Sequence, residues 1–250
     1  MVATEYRKRA LITGANSGLG AVLSLVLSDR RYEVVGAVQG SAEPPEIAMT
    51  HVSYEATRPA DEFIARLQIA GENIPFDVVV NCAGINAIRM FDDLDAEFIH
   101  EIMQVNFVAP VMLTQALMHS GLLQQPSIIV NIVSDAAWRP MRHSLAYGCS
   151  KAALDLATKQ MARELTKVKP YPTFIGIRPG FMEGTTMSHY IEAQVCTMRG
   201  WLTSEARAYA ANARVANEAL KATDVARLIA DIIGNDSVHA LSGTCMDLAG

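Results

Sequence analysis

A-L-I-T-G-A-N-S-G-L-G, residues Ala10 to Gly20, is the stretch whose reading decides the fold. The short apolar run Ala10 to Thr13 reads as a buried strand. Gly14, Gly18 and Gly20 break it, and apolar residues then recur with helical spacing at Leu19, Val22, Leu23, Val26 and Leu27. In a strand, glycine turn and helix of this kind, the first glycine permits the tight turn and the second lets the backbone approach a pyrophosphate. The third lets helix and strand pack closely, and the helix N-terminus faces the anion. The same three glycines also fit a plain strand-to-helix turn, so the rest of the chain must carry the argument.

Outward from this turn, strand and helix patterns alternate. Glu33 to Val38, His51 to Thr57, Phe76 to Val80, Ser127 to Val133, Thr173 to Ile177 and Ser242 to Leu248 read as strands. Between them lie apolar-periodic helices, among them one long helix from Asp95 to His119 and a last helix capped by Thr223. Such alternation predicts an α/β fold with a Rossmann-like doubly wound parallel sheet of about seven strands and helices on both faces, a three-layer α/β/α arrangement. Residues 1–250 read as a single domain. Ser41 to Pro45 is a surface loop, and Lys169-Pro170 ends a helix. From about 184 to 222 the rhythm breaks into two short helices, one carrying Met187, Tyr190, Ile191, Val195 and Met198; a lid over a substrate and packing against a second subunit both fit that stripe.

Half of the 250 residues are hydrophobic and the formal charge is −5 with no extended basic run, which excludes nucleic acid as a partner. The apolar segment after Arg7-Lys8-Arg9 is too short for a signal-peptide core or a membrane span, so the expected setting is cytoplasmic. Four scattered cysteines predict reduced, mostly buried thiols, and six scattered histidines predict no metal site.

The chemistry concentrates between Ser134 and Lys151. Tyr147 and Lys151 are spaced i, i+4 on one face of a helix. An ammonium one turn from a phenol stabilises the phenolate and lowers a pKa that is ordinarily about 10, which makes a usable general acid or base. Ser134 follows a buried strand and opens onto the crevice at its carboxyl end. By spacing alone an ordinary surface pair is the plainer reading, and the rest of the chain decides. Asn106 interrupts the apolar middle of its helix and is costly to bury without hydrogen bonds; a structural role fits it as well as a catalytic one.

Taken in order, Thr13-Gly14-x-x-x-Gly18-x-Gly20, Asn81-x-Ala83-Gly84, Asn106, Ser134, Tyr147-x-x-x-Lys151 and Pro179-Gly180 resemble the short-chain dehydrogenase/reductases, in their compact branch of about 250 residues. The resemblance spans nearly the whole chain. It implies hydride transfer between NAD(P)(H) and an alcohol or carbonyl, with Tyr147 exchanging the proton. Lys151 would bind the nicotinamide ribose and tune Tyr147, Ser134 would polarise the substrate oxygen, and Asn106 would hold a relay water. Cofactor contacts are expected from Gly14, Asn16, Ser17, Gly18, Leu19, Gly20, Gln39, Glu55, Ala56, Asn81, Ala83, Gly84, Tyr147, Lys151, Pro179, Gly180, Met182 and Thr185. Asn81 as a turn cap and Glu55 as a solvated loop acid are the plain alternatives.

Gln39 stands where an acid would select NAD and an arginine NADP, and Ser17 is also neutral; the cofactor is NADP or NAD, with a lean to NADP because nothing repels the 2′-phosphate. Three positions depart from the family pattern: Cys82 replaces a second asparagine, Gly184 stands where a threonine is usual with Thr185 or Thr186 beside it, and the chain ends Asp247-Leu-Ala-Gly250. Trp138, Met141 and Phe181 suggest a partly apolar pocket, though Trp138 fits the core equally, while Arg139, Arg142 and His143 offer either recognition of an acidic or polyhydroxylated substrate or a solvated surface. The expected partner is a small alcohol or carbonyl compound, with no membrane, and the resemblance implies a homo-oligomer, a tetramer or dimer. The rival reading is a catalytically silent, cofactor-binding regulator or scaffold on the same fold.

Overall fold

A computed structural model describes residues 7–40, 49–166, 171–212 and 219–248. In chain order the elements are β1 (Arg9–Thr13), α1 (Gly18–Asp29), β2 (Glu33–Val38), β3 (Thr50–Ser53), α2 (Ala60–Ile69), β4 (Phe76–Asn81), α3 (Ala96–Met103), α4 (Ala109–His119), β5 (Leu123–Ile132) and α5 (Leu145–Leu165). They continue with β6 (Thr173–Pro179), β7 (Met182–Glu183), α6 (Thr186–Arg199), α7 (Thr203–Asn212), β8 (Leu220–Lys221), α8 (Ala222–Gly234) and β9 (Thr244–Leu248).

Seven strands form one parallel sheet in the order β3-β2-β1-β4-β5-β6-β9, and β7 pairs with β8 beside it. The order reverses between β1 and β4, and the carboxyl ends of those strands bound the crevice where such sheets take ligands. Side-chain alternation divides the core into two layers. Ile12, Val78, Val80, Val130 and Ile175 pack under α1 and α8, through Leu23, Leu27, Val225 and Ile229. Leu11, Val35, Val79, Ile129 and Phe174 pack under α2 and α4, through Phe63, Leu67, Leu113 and Leu117. Each such side chain removed from water contributes about 1.5–3 kcal/mol, and burial on both faces explains why the strands read as continuous apolar runs.

Several expectations need correction. The single helix over 95–119 is two: α3 and α4 are joined by a π-helical stretch from Gln104 to Val108. Pro110 explains the opening, since it lacks the N–H that would bond the carbonyl four residues back, that of Asn106, and its ring crowds that carbonyl. The third strand ends at Ser53 rather than Thr57. Thr223 lies inside α8, whose N-cap is Lys221. Cys149 is exposed on α5, and Cys82, Cys196 and Cys245 are half-buried free thiols. The Ser41 to Pro45 loop, the Lys169-Pro170 helix stop and the terminal Ala249-Gly250 lie outside the described residues. No helix among the described residues is long and apolar enough to cross a membrane.

Candidate active site

The glycine turn works through close approach. Gly14 has φ +70° and its N–H donates to the Ala37 carbonyl at 2.8 Å. A Cβ on Gly20 would lie 2.2 Å from the Gly14 oxygen, so only glycine admits this contact between helix and turn. Gly18, at φ +51°, faces Thr185, the N-cap of α6. Ser17 caps α1 without a side-chain hydrogen bond, and no acidic residue stands in the first turn. The first N–H groups of α1 are thus left for an anion, which fits a dinucleotide's pyrophosphate.

Thr13, absent from the sequence-derived site, holds two loops together. Its hydroxyl oxygen accepts from the N–H groups of Cys82 and Ala83, at 3.0 and 2.9 Å. The signal was present in the Thr-Gly pair that ends β1, although spacing does not tell a loop tie from a strand residue.

Ser134, Tyr147, Lys151 and Asn106 come together beneath this turn. Ser134 follows β5, and its oxygen accepts from the Ala136 N–H at 3.2 Å as the N-cap of a 3-10 turn. Gly148, on the first turn of α5, lets that helix sit against Ala136, because a Cβ there would meet the Ala136 oxygen at 3.2 Å. Tyr147, on the same turn, is buried and hydrogen-bonds with Ser134. One turn on, Lys151 is buried with its Nζ donating to the Ile132 carbonyl at 2.9 Å and lying 5.8 Å from the Tyr147 ring centroid. Gly84 completes the packing, since a Cβ there would stand 3.2 Å from Asn106 Oδ1 and 3.4 Å from Lys151 Nζ.

Asn106 is fully buried. Its Oδ1 accepts from the Ile85 N–H at 2.9 Å, and its Nδ2 donates to the Ile85 carbonyl at 2.8 Å and to Ser150 Oγ at 3.0 Å.

The electrostatics differ from the expectation in one respect. Burial pushes the Tyr147 phenol up to about 12, against the Ser134 hydrogen bond that lowers it. The same burial pushes Lys151 down to about 8, with the Cys82 thiol opposing. Desolvation, with the nearby Asp135 carboxylate adding to it, outweighs the Ser134 hydrogen bond, so the resting phenol is neutral and proton-bearing.

Ser134, Tyr147 and Lys151, but not the deeply buried Asn106, line one cleft of about 1400 Å³, together with Gly14, Asn16, Ser17, Gly18, Leu19, Gly20, Gln39, Ala56, Ala83, Gly84, Pro179, Gly180, Met182 and Thr185. Two expected contacts fall outside its lining. Glu55 turns to Arg58 and Arg66, at 3.8 and 3.6 Å. Asn81 follows the side-chain alternation of Val79 to the α4 face, where it donates to Asn131 at 2.8 Å and to Thr114 at 3.4 Å. Helix α6 spans the cleft, with Gln194 accepting from the Ile88 N–H at 3.1 Å. Among the described residues no cluster of His, Cys, Asp or Glu is suited to hold a metal ion.

This sheet order, with a glycine turn at the reversal and a Tyr-Lys pair facing it, defines a Rossmann-type protein. A family profile described as short chain dehydrogenase matches residues 8–195, and the chain belongs to that family. It is 29% identical to the L-xylulose reductase of Caenorhabditis elegans over 166 residues, covering 63% of this chain and 66% of that one. With the D-erythrulose reductase of Gallus gallus it shares 28% identity over 160 residues, covering 63% and 65%. The matches thus span just under two thirds of the length of these curated relatives. A crystal structure of an actinorhodin polyketide ketoreductase variant with NADPH superposes with a TM-score of 0.85 at 22% identity, covering 98% of this chain and 96% of that one, which supports the fold.

Proposed function

We propose that the chain is an NAD(P)-dependent oxidoreductase that interconverts an alcohol and a carbonyl compound, with Tyr147 as general acid/base. The observation that carries this reading is the buried meeting of Tyr147, Ser134 and Lys151 at the floor of the cleft whose other end is the glycine turn. A nicotinamide dinucleotide, when bound, supplies or accepts the hydride. The residues to hold it are those of the Gly14 to Gly20 turn, Gln39, Ala56, Ala83, Gly84, Lys151, Pro179, Gly180, Met182 and Thr185.

In the reducing direction Tyr147 gives its proton to the carbonyl oxygen while Ser134 hydrogen-bonds the same oxygen and fixes its place. Lys151 keeps positive charge near the phenolate that forms, which lowers the cost of the transfer. Asn106 holds the Ile85 backbone and with it the loop on which Gly84 leaves space for Lys151. In the oxidising direction the same groups act in reverse.

The exposed, neutral Gln39 and Ser17 place no carboxylate against a 2′-phosphate, which supports NADP over NAD. We further read 1–250 as one domain in which the stretch from about 184 to 222 covers the substrate. A homo-oligomer joined through α4 and α5 is supported by the exposed Met112, Leu145 and Leu156 on those helices. The ketose reductases among the relatives make a ketose the first substrate to compare.

The test is a nicotinamide-fluorescence titration with NADPH and NADH in parallel, followed by a carbonyl panel with the tighter nucleotide. Binding and turnover, lost about 100-fold or more in kcat for Tyr147→Phe with nucleotide affinity kept, is the expected result. Full turnover by that variant removes the mechanism, and nucleotide binding without turnover of any carbonyl moves the regulator or scaffold reading to the front.

A further inference from the structure

We infer that the carbonyl substrate is bulky and apolar, of the size of a fused two-ring ketone, and not a polyhydroxylated ketose. This rests on the hydride-transfer reading above and adds the chemical class of the ligand. Beyond Tyr147 and Ser134, the cleft is walled by Trp138, Met141, Phe181, Met187, Tyr190 and Ile191. Trp138, Met141, Phe181 and Tyr190 are 59%, 42%, 39% and 52% exposed, so their apolar surface is turned to the open concavity rather than spent in the core. Met187 and Ile191 stand one turn apart on α6, and methionines give such a wall the softness to fit an irregular shape.

Three of the arginines that line the cleft are held by carboxylates. Arg139 faces Asp135 at 3.8 Å, Arg207 donates to Glu192 at 2.9 Å, and Arg178 is held by Asp155 at 2.6 Å and by Asp247 at 3.1 Å. Trp138 turns its one polar atom, Nε1, to Asp247 at 2.9 Å, which leaves the face of the indole as its contribution to the cleft. A ketose brings several hydroxyls, and each loses water on entry and needs a partner in exchange. The hydrocarbon of Trp138, Met141, Phe181, Met187, Tyr190 and Ile191 rewards an apolar ligand instead. Space agrees, because about 1400 Å³ exceeds the about 300–1,000 Å³ typical of a site for one drug-sized molecule, leaving room beside a dinucleotide.

The experiment compares 2-tetralone with L-xylulose, using the nucleotide that binds, and follows binding of 2-tetralone by quenching of Trp138 in a Trp201→Phe background. Expected is a kcat/KM for 2-tetralone at least about 100-fold above that for L-xylulose. Ile191→Glu should cut the 2-tetralone value at least about 10-fold through KM, with nucleotide affinity and helical circular dichroism kept. Equal or preferred turnover of L-xylulose overturns the inference while leaving hydride transfer intact. Should nucleotide bind and neither ketone react, quenching by 2-tetralone that Ile191→Glu abolishes sustains the apolar site and sinks the proposed reaction; absence of quenching overturns the inference too.

Discussion

Asn106 grips Ile85 by both backbone groups at once, its Oδ1 taking the N–H at 2.9 Å and its Nδ2 reaching the carbonyl at 2.8 Å. A side-chain amide is the one neutral group able to mimic a strand partner in this way. The contact ties the π-helical stretch between α3 and α4 to the loop after β4 that carries Gly84. Asn106→Ala strips both partners from Ile85 and is expected to destabilise the fold by about 1–3 kcal/mol in urea unfolding. Asn106→Asp keeps the acceptor but sets a carboxylate against the Ile85 carbonyl, and it should fall below Asn106→Ala at pH 8. An unchanged urea midpoint for the alanine variant would show that water replaces the amide without loss.

Lys151 should make stability depend on pH in a defined window. Its folded pKa, about 8, lies below the ordinary 10.5 because burial penalises the ammonium. Between those values the unfolded chain binds more protons, so folded stability rises with pH from about 8 to 10.5 and the cost of the buried charge is fully present below 8. Lys151→Met removes this titration. Melting temperatures at pH 7, 9 and 10.5 should therefore move in favour of the wild type, relative to the variant, as pH rises. A constant offset would mean that water reaches the ammonium.

His143 holds φ +63°, a left-handed backbone unusual for a residue with a Cβ, and its carbonyl accepts from the Arg89 N–H at 3.0 Å. It lines the cleft four residues before Tyr147. Glycine takes this conformation freely but loses more chain entropy on folding, so His143→Gly should change stability by less than about 1 kcal/mol. His143→Val is expected to lose about 1–2 kcal/mol or more, because a β-branched side chain fits this region worst. Guanidinium titration of both variants checks the order, and a valine variant as stable as the glycine one would contradict it.

Asp155 carries an acid-side prediction. Burial raises its pKa, yet hydrogen bonds from Arg178 and Lys159, each 2.6 Å long, bring it down to about 2. The stability this contributes is present above the ordinary 3.8 and is lost as pH falls towards 2. Asp155→Asn should cost about 1–3 kcal/mol at pH 7, with the gap to wild type narrowing once pH drops below 3.8. Urea midpoints at pH 7, 5 and 3 would show it, and a gap that stays constant would place the stabilisation elsewhere.

The sheet and the meeting of Ser134, Tyr147 and Lys151 were legible because their signals are local. Apolar runs, the glycines of the first turn and the spacing of Tyr147 to Lys151 each survive translation into structure. What escaped depended on which face of an element meets its neighbour and on how deep it lies. Asn81 could be assigned to cleft or core only by knowing which face of β4 meets α4, although its alternation with Val79 already pointed to the core. Glu55 was drawn off by Arg58, three residues on, and by Arg66 of α2, so its cations are near at hand and only the turn of the loop towards α2 went unread. The break between α3 and α4 was readable from Pro110, whose cost falls on Asn106 and thus opens the helix at the residue that needs freedom to turn its amide. Tyr147 was misjudged in its resting pKa because a lysine one turn away is visible in sequence, whereas the depth at which both lie is not.

Arg178, at the end of β6, joins Asp155 of α5 to Asp247 of β9, and Asp247 in turn takes the indole N–H of Trp138. The aromatic at the entrance is thus anchored from a strand more than a hundred positions downstream. Exchanging the residue at 247 would therefore release the Trp138 indole N–H and one side of the Arg178 guanidinium together, with Arg178 still held to α5 by Asp155.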